Sequence, residues 1–165
     1  TEIRGKLPMS SAMLSQLVIL LVVANGTPAL LGLVRGSRWN CPLDGHFRLW
    51  DGYPLFGPSK TAHGLLSALL VTGLVAPLFQ LSVATGVAFA TLAMLGDLSS
   101  SFIKRRLGHP SGKSVPLLDQ LPETVLPLWG LQTVLGAGWL DMIAAVIIFL
   151  IIDLLLSSLL RSVRA

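Results

Sequence analysis

Five stretches of this chain run almost free of charge: roughly residues 11–34, 63–80, 82–103, 124–140 and 142–160. A helix needs about 20 mostly apolar residues to cross a bilayer. The pattern therefore predicts an all-α integral membrane protein of about five transmembrane helices, forming a single domain over residues 1–165. Polar residues collect in two long segments, between spans 1 and 2 and between spans 3 and 4, whereas the turns after spans 2 and 4 are tight.

Charge orients these elements. Arg35, Arg38, Arg48 and Lys60 occupy the first long loop, Lys104, Arg105, Arg106 and Lys113 the second, and Arg161 and Arg164 the tail, while the tight turns hold no Lys or Arg. The positive-inside bias places both basic loops and the C-terminus in the cytoplasm and the N-terminus outside. Arg4 and Lys6 run against it, and because the chain opens on Thr1 the expectation is that residues 1–10 are an appended extension ahead of a natural start at Met9, or a short tail. A secretory signal peptide does not fit the first run, which is too long, lacks a small-residue cleavage site and is interrupted by Asn25-Gly26-Thr27-Pro28.

Composition narrows the class. With 53% hydrophobic residues, 12% charged residues and a mean hydropathy of +0.75, the chain cannot coat a soluble domain of its size with polar groups. The net charge of +4 does not point to nucleic acid, since ten of the twelve Lys/Arg flank apolar runs and aromatic residues do not interleave with them. Membrane lipids and anionic ligands are the expected partners. Cys41 is the single cysteine, which excludes an intrachain disulfide, and no Cys/His cluster has the spacing of a zinc site.

Polar residues inside the apolar runs carry the candidate chemistry. Pro28 removes a backbone donor, so span 1 is expected to kink or open near Asn25. Asn25, Asp97 and Asp153 fall at similar depths on three spans, toward the same pair of loops. Asp153 suits either an ion pair, for example with Arg161, or a place in a site, and Asp141 suits the N-cap of span 5. If span 3 continues as a helix beyond the membrane face, Asp97, Ser101, Lys104 and Arg105 lie at i, i+4, i+7 and i+8 on one stripe, with Arg106 beside it as a snorkelling anchor. Gly108-His109-Pro110 ends that helix, and Pro116-Leu117-Leu118-Asp119-Gln120 brings a second aspartate back toward Asp97.

Two carboxylates beside several cations suit phosphate chemistry. Mg²⁺ is usually held by one or two carboxylates together with substrate oxygens, which Asp97 and Asp119 are spaced to supply. In the first loop, Gly52 and Gly57 have the separation of a Walker loop, but Pro58-Ser59 displaces Lys60 from its required place. Ser59, Lys60 and Thr61 nonetheless stand at a helix start, where free N–H groups favour an anion.

Taken together, Asn25 to Pro28, Pro42-Leu43-Asp44, Asp51-Gly52 through Gly57-Pro58-Ser59-Lys60-Thr61, Gly96-Asp97, Ser101 through Arg106 and Pro116 through Gln120 resemble the CDP-archaeol synthase family, within the wider group of phosphatidate cytidylyltransferases. The resemblance runs from about residue 20 to 125. It implies transfer of CMP from CTP to a lipid phosphate, with Mg²⁺ as cofactor and a CDP-lipid and pyrophosphate as products. It implies Asp97 and Asp119 as metal-binding carboxylates with a catalytic role shared by Lys104 and Lys60, and CTP contacts from Lys60, Lys104 and Arg105, with Asn25, Ser59, Thr61 and Ser101 as weaker members. The chain departs from the family where a further aspartate is usual, having Pro122 followed by Glu123, and the Asp-Arg pair of bacterial phosphatidate enzymes is Asp119-Gln120 here. His46, His63 and His109 lack the partner spacing of a triad or metal cluster.

Two other classes compete with this reading. A CTP-dependent polyprenol or phytol kinase would release CDP rather than pyrophosphate. A small membrane carrier or scaffold would use Asn25 and Asp153 but leave Asp97, Asp119 and the basic loops without a common task. Glycine and alanine in spans 3 and 4 permit the close helix contacts that a homodimer uses.

Overall fold

The computed structural model describes residues 11–35 and 41–164, with side chains described for 11–34 and 41–156. Its helices are α1 (Ser11–Arg35), α2 (Ala62–Val75), α3 (Val83–Arg106), α4 (Gln120–Gly130), α5 (Gln132–Leu135) and α6 (Trp139–Arg164), with a 3-10 turn at Ala76–Phe79 extending α2. Among the described residues four segments are long and apolar enough to cross a membrane: Ser11–Val34, Ala62–Phe79, Val83–Arg106 and Trp139–Leu156. Arg4, Lys6, Arg38 and the side chains of Arg35, Arg161 and Arg164, used above for topology and for pairing with Asp153, lie outside the described residues, as does the expected start at Met9.

The fourth expected span is the exception. Instead of one helix over 124–140, the chain forms α4 and α5 separated at Leu131. Pro127 lacks the N–H that would bond the carbonyl of Glu123, and the Leu131 N–H turns back to Pro127 and Trp129 at the helix end. Gly136 at φ +65° then closes α5. The two pieces still travel the length of the bundle. Gln120 bonds to Asp153 at one end, Gly130 meets Leu92 of α3 midway, and Gly136 approaches Met13 near the start of α1.

Of the kink or opening expected in span 1, the opening does not occur: α1 runs as one helix through Pro28. The polar groups of its middle turns are returned to its own backbone: Asn25 Nδ2 donates to the Leu21 carbonyl at 3.0 Å and Thr27 Oγ1 to the Val23 carbonyl at 2.6 Å. Asp141 is not the N-cap of α6 but its third residue, reaching back to accept from the Gly138 N–H at 3.0 Å.

Small residues bring α3 against its neighbours. A Cβ on Gly86 would stand 2.6 Å from both the Ala76 Cβ and the Thr72 carbonyl oxygen, and one on Gly96 would run into the Pro122 carbonyl and the Glu123 N–H. Backbones therefore touch at these two points, as in small-residue packing between membrane helices. The apolar core lies between α1, α3, α4 and α6, where Leu17, Leu20 and Leu21 meet Phe89, Leu128 and Phe149.

Candidate active site

At the Gln120 end of the bundle the 41–61 segment is folded by one carboxylate. Asp44 accepts from the backbone N–H groups of Gly57 at 2.8 Å, Phe56 at 3.0 Å and His46 at 3.1 Å. Burial works to raise the Asp44 carboxyl, but the three donors and the nearby His46 outweigh it and hold the group below its ordinary value. Gly57 needs φ +91°, and a side chain there would strike Ser111 Oγ, so glycine is required for both turn and approach. Antiparallel bonds from Leu43 N–H to Lys60 O (2.8 Å) and from Ala62 N–H to Cys41 O (3.1 Å) then deliver Ser59-Lys60-Thr61 to the start of α2, where Thr61 Oγ1 caps the Gly64 N–H at 3.1 Å.

Lys60 turns inward from that turn. Its ammonium contacts both oxygens of Asp97, at 2.6 and 2.5 Å. The pair lies on the wall of a cavity of about 270 Å³ that Asn25, Ser59, Thr61 and Glu123 also line. Asn25 Oδ1 is buried there with no hydrogen-bond partner among the described residues, which leaves an acceptor for a donor group of a ligand. Glu123, 9% exposed, shares that cavity wall with Asp97 and Lys60.

The remaining expected residues gather beside this cavity rather than on its wall. Along α3 the expected stripe faces inward: Ser101 is 1% exposed, Lys104 6% and Arg105 2%. Lys104 Nζ meets Asp119 Oδ1 at 2.6 Å and donates to the Lys113 carbonyl at 2.9 Å, while Arg105 donates to the carbonyl of His109. Asp119 also accepts from the Val115 N–H at 2.9 Å. The 107–119 segment is thereby folded over the end of α3, and Ser111 Oγ donates to Ser59 Oγ at 3.1 Å, joining the two loops.

Arg106 is more than the expected anchor. It pairs with Asp51 at 2.7 Å, donates to the Pro54 carbonyl at 2.6 Å and lies 5.1 Å from the Phe102 ring centroid, fastening the first loop onto α3. Sequence reasoning missed this contact and the Asp44 cradle. Only part of the second had a local signal, the Asx turn from Asp44 to the His46 N–H; its reach to Phe56 and Gly57 spans 12 and 13 residues.

The arrangement brings two Lys–Asp pairs to one end of the bundle, anchored two turns apart on α3. No group of three or more His, Cys, Asp or Glu side chains among the described residues is arranged to hold a metal by itself. A Mg²⁺ site built from one or two carboxylates and completed by phosphate oxygens does not need such a group, and the hard oxygens of Asp97 and Asp119 fit it.

Comparison with known proteins places this geometry in context. A family model described as CarS-like CDP-archaeol synthase matches residues 10–161. The chain is 41% identical over 110 residues to the CDP-archaeol synthase of Hyperthermus butylicus, covering 63% of this chain and 62% of that protein. It is 36% identical over 129 residues to the Aeropyrum pernix CDP-archaeol synthase, covering 74% and 70%. The matched region thus spans about three fifths to seven tenths of these relatives' lengths. A solved structure described as an intramembrane enzyme for archaeal membrane lipids biosynthesis superposes with a TM-score of 0.73 at 29% identity, over 86% of this chain and 90% of that one.

Proposed function

Because this chain belongs to the CarS-like CDP-archaeol synthase family, we propose that it transfers CMP from CTP to a membrane lipid phosphate, giving a CDP-lipid and pyrophosphate. The observation that carries the reading is the pair of Lys–Asp contacts, Lys60 with Asp97 and Lys104 with Asp119, beside a polar cavity at one end of an otherwise apolar bundle. Each lysine already holds a carboxylate. A triphosphate competes for both ammoniums, and when Lys60 and Lys104 turn to phosphate oxygens the carboxylates of Asp97 and Asp119 become available to a cation.

In this reading an oxygen of the lipid phosphate forms a bond to the α-phosphorus while the bond from that phosphorus to the bridging oxygen breaks, and the electron pair leaves with pyrophosphate. The attacking phosphate is already anionic, so no general base is needed. Lys60, at the helix start with Ser59 and Thr61, orients the triphosphate, and Asn25 Oδ1 accepts a hydrogen bond at the cavity wall. Lys104 and Arg105 stabilise charge developing on the leaving group, and Ser101 lies on the same face of α3. Positioning and electrostatics supply most of the rate. Mg²⁺, held by Asp97 and Asp119 with phosphate oxygens, supplies further charge neutralisation when bound. The polar end faces the cytoplasm, as the basic residues near it favour, so CTP enters from water and the lipid from the inner leaflet.

Purified protein incubated with α-labelled CTP, Mg²⁺ and a panel of ether-isoprenoid and acyl lipid phosphates tests the proposal. Label in a CDP-lipid with release of pyrophosphate is expected. Label recovered as CDP, with a phosphorylated alcohol made from polyprenol, replaces it with the kinase reading, and unchanged CTP throughout removes enzyme function.

A further inference from the structure

Asp153 is a carboxylate in the middle of α6, and the transfer reaction outlined above gives it no task. An unpaired carboxylate in an apolar helix is costly, so its partner identifies its role. That partner is Gln120, whose Nε2 donates to Asp153 Oδ2 at 2.5 Å across 33 residues of sequence. Gln120 is 4% exposed at the first turn of α4. A carboxylate only accepts, so the contact commits the amide: its NH₂ faces α6 and its oxygen faces the other way. That oxygen accepts from the Leu117 N–H at 3.4 Å. Leu117 has φ +66°, a left-handed conformation that a leucine rarely adopts without outside support. The same turn closes through Asp119 N–H to Val115 O at 3.1 Å and Val115 N–H to Asp119 Oδ2 at 2.9 Å, leaving Oδ1 for Lys104 at 2.6 Å.

We propose that Asp153 is a positioning residue for Asp119, acting through the Gln120 amide and the left-handed turn at Leu117. Its negative charge is not what the turn uses. An acceptor at that place in α6 fixes the amide, the amide holds the strained turn, and the turn aims the Asp119 carboxylate at Lys104. The catalytic consequence rests on the CMP-transfer reading, whereas the structural linkage does not.

Two measurements on the full chain in nanodiscs keep those apart. In hydrogen exchange, Asp153→Leu should raise the rate at the amides of Leu117 and Asp119 while the amides of α2 remain as in the wild type. Asp153→Asn, which still offers a carbonyl acceptor to Gln120, should retain wild-type protection. In the transfer assay, Asp153→Leu should lower kcat by about 30- to 100-fold with KM for CTP within about threefold, the mark of a misaimed group rather than lost binding. Asp153→Asn should keep kcat within about threefold of the wild type, a difference far below that of the leucine variant. Should Asp153→Leu fail to insert, Gln120→Glu takes its place, because it sets two carboxylates against each other. Adding Asp153→Asn to it restores a donor–acceptor pair and should recover both protection and kcat, as a coupled pair requires.

Equal losses in Asp153→Asn and Asp153→Leu would overturn the proposal in favour of a role for the charge itself. Unchanged exchange at 117 and 119 in Asp153→Leu would overturn it outright. A wild-type protein that makes no CDP-lipid removes the transfer reading alone, and the exchange experiment still decides the linkage.

Discussion

The two halves of α3 are buried to similar degrees by opposite means. From Val83 to Gly96 the inward face is Gly86, Phe89, Ala90 and Ala93, set against the apolar residues and close backbones of its neighbours. From Asp97 to Arg106 it is Ser100, Ser101, Lys104 and Arg105, and burial there survives because loop groups answer each charge. The first half needs only the right volume. The second needs particular partners from distant segments, Lys60 before it and residues 109–119 after it. One helix thus joins a region whose failure costs stability to a region whose failure costs function, and the difference can be separated by substitution.

The largest expected effect lies in the polar half. Asp97→Asn and Asp119→Asn should each lower CMP transfer per folded molecule by about 10³-fold, the scale seen when a group stabilising transition-state charge is removed, with membrane insertion intact. The assay is product formation from α-labelled CTP at saturating Mg²⁺. Full activity in either variant would withdraw that residue from the proposed metal-binding pair. In the apolar half the sign of the split reverses: Phe89→Ala should destabilise by about 3 kcal/mol through the cavity it opens, measured by thermal or denaturant unfolding in detergent, while kcat per folded molecule stays near the wild type. An activity loss exceeding the loss of folded protein would show that the two halves are not separable in this way.

Gly96 stands at the boundary and should register in both readouts. A methyl group there meets the Pro122 carbonyl and the Glu123 N–H, backbone atoms that cannot step aside as a side chain can. Gly96→Ala should therefore cost about 1–3 kcal/mol, the usual range for overpacking, and should also lower activity, because the displaced first turn of α4 carries Glu123 into the cavity and follows directly on Asp119. Normal stability with normal activity would mean that α3 and α4 do not approach so closely.

Much of this contrast is legible in the chain itself. Hydropathy locates the four long helices, because each crossing needs its own apolar run. The spacing of Asp97, Ser101, Lys104 and Arg105 announces an inward stripe, and the helix does continue to Arg106 as that stripe requires. The fourth expected span was read as one helix and its break was not legible, since a window average does not register the turn at Leu131 or the left-handed residue at Gly136. Nor were the partners of the charges. Lys60 with Asp97, Arg106 with Asp51 and Gln120 with Asp153 join residues 37, 55 and 33 positions apart, and such pairings depend on how helices pack rather than on any local period. Asn25 was legible as a cavity residue, but not the unbroken helix around it, in which Asn25 and Thr27 return their donors to the α1 backbone.

The smallest expected effect concerns the loop that supplies Lys60 to the polar half, and it is read through pH. Asp44 is held below its ordinary value in the folded chain, so its ionised form favours the folded loop. The contribution of a group shifted this way is fully present above its unfolded pKa, about 3.9, and is lost as pH falls through the lower folded value. Between neutrality and about pH 5 the loop should therefore show no change from this group. Below about pH 4 the amides of Phe56 and Gly57, which donate to Asp44 Oδ2, should lose protection against hydrogen exchange once the intrinsic pH dependence of exchange is removed. Asp44→Asn should show weakened protection at neutral pH and no further loss on acidification, because a neutral amide has no charge to titrate and turns a donor toward donors. The Leu20 and Leu21 amides of α1, in the apolar core, serve as the internal reference. Protection at Phe56 and Gly57 that holds steady to pH 2 in the wild type would show that the loop owes its shape to its backbone turns and not to the Asp44 carboxylate.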